Sequence, residues 1–420
     1  MQPAELADVN RNVGMSLGAV GFVLPLLAGG NFLVGLRPED GIAIFDLVAV
    51  AVAGMLARSA GPLRSSDSRC SSGWWAVTCL LVLFVWWAGT LLLRPRGPRA
   101  VLEAQGIFAA ILLFASLSRL PLRSEVFWSF TRGLLLGALV TTLYGQYQYW
   151  IAFPRTLPLL TAAGIPAITL VNANFYNANC YAAFLTATML LAAGLAAAPG
   201  DSSRPFAAAS LLPLVATLLL SESRSALALL ALAAAAWGAL RLRTATWHAV
   251  RRPLSWGLVA ATVLSGVIVA TVDLRELWKV GLLGRMAIWQ GSLAMIREHW
   301  LFGVGLGRFW EHFPSYRVTS YYTRYPHNFL LEVFAELGIV GGAAVVGFLV
   351  AAMAAPVRSI ARLRSEPARD ASWPLLAPTV ASVVLIAHAL LDIDWHAPAN
   401  PILLFVLLGF AQHLPLWTKP

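Results

Sequence analysis

Apolar runs of 17 or more residues recur from one end of this chain to the other, and no other feature restricts its folds as strongly. A helix rises about 1.5 Å per residue, so each such run is long enough to cross a hydrocarbon core about 30 Å thick. Of the 420 residues, 59% are hydrophobic and 12% charged, whereas a soluble domain carries roughly 25% charged residues. A soluble globular enzyme is excluded. The sequence predicts an all-α polytopic membrane protein, with residues 1–420 forming a single integral membrane domain. The net charge of +10 would suit a nucleic acid, but the arginines lie in short patches between apolar runs and form no continuous basic stripe. No nucleic-acid partner is expected. Cys70, Cys79 and Cys180 are too few and too scattered for a disulfide framework, and no CxxC occurs.

The runs predict twelve spans, at about 13–34, 41–57, 73–93, 100–118, 133–153, 178–198, 205–220, 225–240, 253–272, 331–355, 373–391 and 398–415. An even number of spans puts both termini on one side. The termini and even-numbered loops hold 17 Lys and Arg residues, and the short odd-numbered loops hold six. Positive charge marks the cytoplasmic side. Both termini are therefore expected in the cytoplasm, with segment 273–330 outside. That segment is far longer than the usual connection of about 4–6 residues, which makes it the first place to look for function.

Within it, Arg285 to Trp300 reads as a helix with Trp289, Leu293, Ile296 and Trp300 on one stripe. Two tryptophans on that stripe suit a helix lying in the membrane interface. Gly303, Gly305 and Gly307 follow. With no strand before them they read as a tight turn rather than a nucleotide cradle, and their freedom to rotate predicts a movable cover.

Three residues stand out chemically. His327 ends the long segment, and imidazole is the one side chain whose unperturbed pKa of about 6.5 lets it accept a proton near neutrality. Arg285 opens the interfacial helix, where its guanidinium and the free N–H groups can face one anion. Arg224 sits at the outer boundary between two apolar runs. Plainer roles compete with each: His327 as a helix cap or headgroup neighbour, Arg285 as a solvated or headgroup-bound cation, and Arg224 snorkelling to lipid phosphate or pairing with Glu222. His388, Asp392, Asp394 and His396 could be read as a metal cluster or proton relay, but Pro398 and Pro401 break the helical register. Asp46, Glu103 and Glu336 are acids within apolar runs, where pairing inside the bundle is the common outcome.

The stretch Gly284-Arg285 through Trp289, the turn from Leu301 to Phe309, and the run Pro326-His327-Asn328 with Leu331, Glu336, Leu337 and Gly338 resemble the signature region of the O-antigen ligase and polymerase superfamily. Ser223-Arg224 and Asn177-Ala178-Asn179 also match its pattern. The resemblance implies a multispan membrane glycosyltransferase (GT-C-like) fold class, working at the periplasmic face of a bacterial inner membrane. It implies transfer of O-antigen from undecaprenyl diphosphate, the donor, to the lipid A core oligosaccharide, the acceptor. His327 would be the catalytic base, and Arg224 and Arg285 would bind the diphosphate. Asn328, Ser223, Asn177, Asn179 and Glu336 would support them.

No cofactor or metal is expected, because the diphosphate leaves as a stable anion and two arginines supply positive charge. An O-antigen polymerase or a protein O-oligosaccharyltransferase would use the same chemistry. Polymerases tend to have two large outward loops and the oligosaccharyltransferases extra C-terminal sequence. A secondary transporter would also have twelve spans, but the paired broken helices and repeat symmetry of that class are not evident here.

Overall fold

The computed structural model describes residues 3–26, 71–93, 100–164, 170–175, 177–242, 283–318, 323–365 and 370–417. All regular structure among the described residues is helical. The main elements are α1 (Pro3–Leu26), α2 (Ser71–Leu93), α3 (Ala100–Arg119), α4 (Ser124–Tyr147), α5 (Ala178–Ala197), α6 (Arg204–Leu220), α7 (Arg224–Leu242), α8 (Leu283–Glu298), α9 (Phe329–Ser365), α10 (Ala377–Ala389) and α11 (Ala399–Ala411). Among the described residues, three helical stretches are long and apolar enough to cross a membrane: Ser124–Ala162, Ala178–Ala197 and Phe329–Ala361. Shorter apolar helices stand beside them. This architecture fits a polytopic membrane protein. The predicted spans 41–57 and 253–272 lie outside the described residues.

Several helices depart from the predicted bounds. The first begins at Pro3, well before residue 13, because its opening turns pack on the chain around residues 121–123, where Asn10 Oδ1 accepts the Arg123 N–H at 3.0 Å. Predicted span 133–153 is part of a longer helical rod. Beyond α4 the chain runs through a π-helical turn, Gln148–Ala152, into Phe153–Ala162. Small residues decide the packing of α1 on α4. A Cβ at Gly133 would strike the Gly18 carbonyl, and one at Gly137 would strike that of Phe22, so the two backbones touch.

The predicted tenth span is broken. Gly338 takes φ 65° and ψ −164° inside α9, and the carbonyls released by the break all find partners. Ala335 accepts the Val304 N–H at 2.9 Å, Glu336 accepts that of Gly305 at 2.9 Å, and Leu337 accepts the Trp86 indole at 2.8 Å. In return the Ile339 N–H donates to Trp300 at 2.8 Å. A Cβ at Gly303 (φ 67°) would strike the Glu336 carbonyl, and one at Gly338 would strike that of Leu301. The glycine turn is thus laid against the break in α9 and held there by backbone hydrogen bonds.

The helix of the long segment ends at Glu298, leaving Trp300 in the turn that follows. It buries Ile288, Gly291, Ser292 and Met295 against the protein. The predicted stripe lies beside that face: Leu293 and Trp300 are exposed, while Trp289 and Ile296 are half-buried.

Candidate active site

Four helices begin around one turn. The turn, residues 390–394, follows α10, and its Asp392 side chain is fully buried. Arg285, in the first turn of α8, places Nη2 2.6 Å from Asp392 Oδ2. Asn179, in the first turn of α5, donates to the same oxygen at 2.7 Å. His327, two residues before α9, holds Nδ1 3.4 Å from Asp392 Oδ1, close enough for electrostatic pairing but beyond a well-formed hydrogen bond. Ser225, the second residue of α7, places Oγ 3.0 Å from His388 Nε2 at the end of α10. Each helix start presents free N–H groups and the positive end of a dipole, which together favour a bound anion.

Local chemistry explains each placement. Asn177 caps α5 by accepting the Asn179 N–H at 2.7 Å, and Asn328 accepts the Leu331 N–H at 3.1 Å at the start of α9. The entry to α5 is gripped from the π-helical turn beyond α4: Gln148 accepts the Ala173 N–H at 2.8 Å and donates to the Ala173 carbonyl at 2.9 Å. Ala173, at φ 47°, needs that grip, because the left-handed region is costly for a residue with a side chain. His327 is left-handed too, at φ 53°. Its segment is fixed by the Trp289 indole, which donates to the Pro326 carbonyl at 3.0 Å. On its other side Tyr325 stacks on His396, with ring centroids 3.6 Å apart. Backbone strain of this sort gathers where a side chain must be aimed.

Two opposed influences act on Asp392. Burial pushes its carboxyl up, but the His327 contact and the charges of Arg285 and His388 outweigh burial and hold it below the ordinary carboxylate range. For its neighbour Asp394 burial wins over the His388 contact, and the carboxyl is raised. The Arg285 and His327 side chains are 26% and 23% exposed, so both remain open to a ligand while a buried carboxylate orients them.

The sequence-predicted residues divide into three groups. Arg285, His327 and Asn179 meet at Asp392. Arg224, the first residue of α7, is exposed and forms no ion pair among the described residues, so the plainer alternative of pairing with Glu222 is not made. It stands between Ser223, which is buried, and Ser225, whose hydroxyls lie 3.4 Å apart. Glu336 works elsewhere: its carboxylate accepts the N–H groups of Gly307 at 2.8 Å and Phe309 at 2.9 Å, so it anchors the glycine turn.

Asp392, Asp394 and His396 do not converge. Asp392 serves Arg285, Asp394 bonds His388, and His396 bonds Glu332 at 2.7 Å. Sequence reasoning noted Asp392 and His388 only within that supposed cluster. The spacing of His388 and Asp392, one helical turn apart, was their only local signal.

Residues 209–346 match the family model described as O-antigen ligase. The match supports the O-antigen ligase superfamily. The matched stretch takes in Arg224, Arg285, His327 and Glu336, and leaves Asn179, His388 and Asp392 outside it. No curated protein matches the chain. With the apolar helices, the match points to a bacterial membrane enzyme of the O-antigen ligase and polymerase type, related to lipopolysaccharide.

Proposed function

We propose that this chain transfers O-antigen polysaccharide from undecaprenyl diphosphate to the lipid A core oligosaccharide, at the periplasmic face of the inner membrane. The termini are cytoplasmic in this reading, and segment 273–330 is periplasmic. The observation that carries it is the Asp392 carboxylate shared between Arg285 and His327.

Such a pairing suits a single displacement. The Asp392 charge faces His327 Nδ1 and favours the tautomer with its proton there, which leaves Nε2 free to take the proton of an acceptor hydroxyl. The hydroxyl oxygen bonds to the anomeric carbon as the bond to the diphosphate oxygen breaks, and that electron pair leaves on undecaprenyl diphosphate. Configuration inverts. Arg285 and Arg224 stabilise the charge that grows on the diphosphate, since a guanidinium fork matches two phosphate oxygens. With two guanidinium groups in that role, the reaction needs no divalent cation. An O-antigen polymerase would differ only in its acceptor.

The test is transfer by purified protein in vesicles holding lipid-linked glycan and lipid A core, in excess chelator. Wild type should transfer, and His327→Ala should be inactive while still expressed and folded. Near-normal transfer by His327→Ala would remove the base from the mechanism. A lipopolysaccharide gel of a deletion strain separates the two acceptors: loss of a ligase leaves core without ladder, and loss of a polymerase leaves core with one repeat.

A further inference from the structure

His388 is fully buried among apolar helices, yet all of its polar atoms are engaged. Its Nδ1 bonds Asp394 Oδ2, and its Nε2 lies 3.0 Å from Ser225 Oγ. A carboxylate on Nδ1 fixes the proton there and leaves Nε2 to accept from the serine hydroxyl. The His388 carbonyl also accepts the Asp392 N–H at 3.0 Å. One residue therefore touches both halves of the site. Its side chain holds the first turn of α7, which begins at Arg224, and its backbone holds the turn that presents Asp392 to Arg285.

We propose that His388 is a positioning residue that sets the reach of Arg224 relative to Arg285 on the donor diphosphate, acting through Ser225. The idea rests on the proposed function. Arg224 makes no ion pair of its own among the described residues, so its approach to a ligand depends on how the start of α7 is held. The Ser225–His388 bond joins residues 163 positions apart and ties that start to α10. A diphosphate gripped by two guanidinium groups is sensitive to their separation, because each fork must meet its oxygens at hydrogen-bonding distance. The Ser225, His388 and Asp394 arrangement also has the form of a nucleophilic triad. A serine nucleophile would pass through a covalent intermediate, which an inverting single displacement does not have.

The experiment measures donor KM, acceptor KM and kcat for purified protein in vesicles. Ser225→Ala removes one hydroxyl with little threat to folding. It should raise the KM for undecaprenyl diphosphate-linked glycan about five- to tenfold, the worth of one hydrogen bond, with kcat and acceptor KM nearly unchanged. His388→Asn, whose amide reaches only Asp394, should match it. His388→Gln, which reaches Ser225, should recover much of the donor KM. The double variant Ser225→Ala/His388→Asn should be no worse than either single one, and adding Ser225→Ala to Arg224→Ala should cost nothing more.

An unchanged donor KM in Ser225→Ala, additive losses, or labelling of Ser225 by a fluorophosphonate probe would overturn the proposal. If wild type transfers nothing, the functional reading has failed instead. Binding of undecaprenyl diphosphate alone, five- to tenfold weaker in Ser225→Ala, then supports the positioning role, and equal binding overturns it.

Discussion

Arg285 Nη2 lies 2.6 Å from Asp392 Oδ2, and the other oxygen of the same carboxylate faces His327. One buried anion thus orients a cation and a base that are 42 positions apart in the chain, numbered 285 and 327. Asp392→Asn removes the charge that both depend on. Transfer by this variant should fall at least about 100-fold, the lower range of what a positioned base contributes. Single-turnover rates with saturating donor are the check, and a loss of less than about tenfold would detach Asp392 from the chemistry.

The arginines are expected to act through fork geometry as well as charge. Arg285→Lys and Arg224→Lys keep the charge but lose the planar pair of donors, and transfer should drop about 10- to 100-fold in each. Titration with undecaprenyl diphosphate should show weaker binding. Wild-type affinity in the alanine variants would assign the arginines to another task.

Stability should follow pH in a manner set by Asp392. Its carboxyl is held below the ordinary range, so the folded state favours the ionised form. That contribution is fully present above the unfolded carboxyl pKa of about 3.9 and is lost as pH falls through the lower folded value. The difference in melting temperature between wild type and Asp392→Asn should shrink as pH falls below about 4. A difference that grows on acidification would reverse the sign assigned to this pair.

The contact between the glycine turn and the break in α9 predicts intolerance to a methyl group. Gly303→Ala forces an alanine to φ 67° and into the Glu336 carbonyl, and Gly338→Ala meets that of Leu301 from the other side. Each should cost about 1–3 kcal/mol. Melting curves in detergent are the measurement, and wild-type melting of Gly303→Ala would mean that the turn is free to move.

The all-helical architecture was legible in the amino-acid order, and so was the candidacy of His327, Arg285 and Arg224. Each depends on a short-range property: the length of an apolar run, a charge at a run's end, or a residue type that titrates near neutrality. Their grouping was not legible. Arg285 reaches Asp392 across 107 positions and Asn179 reaches it across 213, and no local pattern records such a contact. Helix packing decides which helix starts share a turn. The same holds for Glu336, which reads in sequence as an acid of an apolar run and becomes in three dimensions the anchor of Gly307 and Phe309. Asp392 looked like a member of a turn-borne acidic cluster until the fold surrounded it with a guanidinium, an imidazole and an amide. A buried carboxylate takes its role from the groups that compensate its charge, and only the tertiary structure brings those groups together.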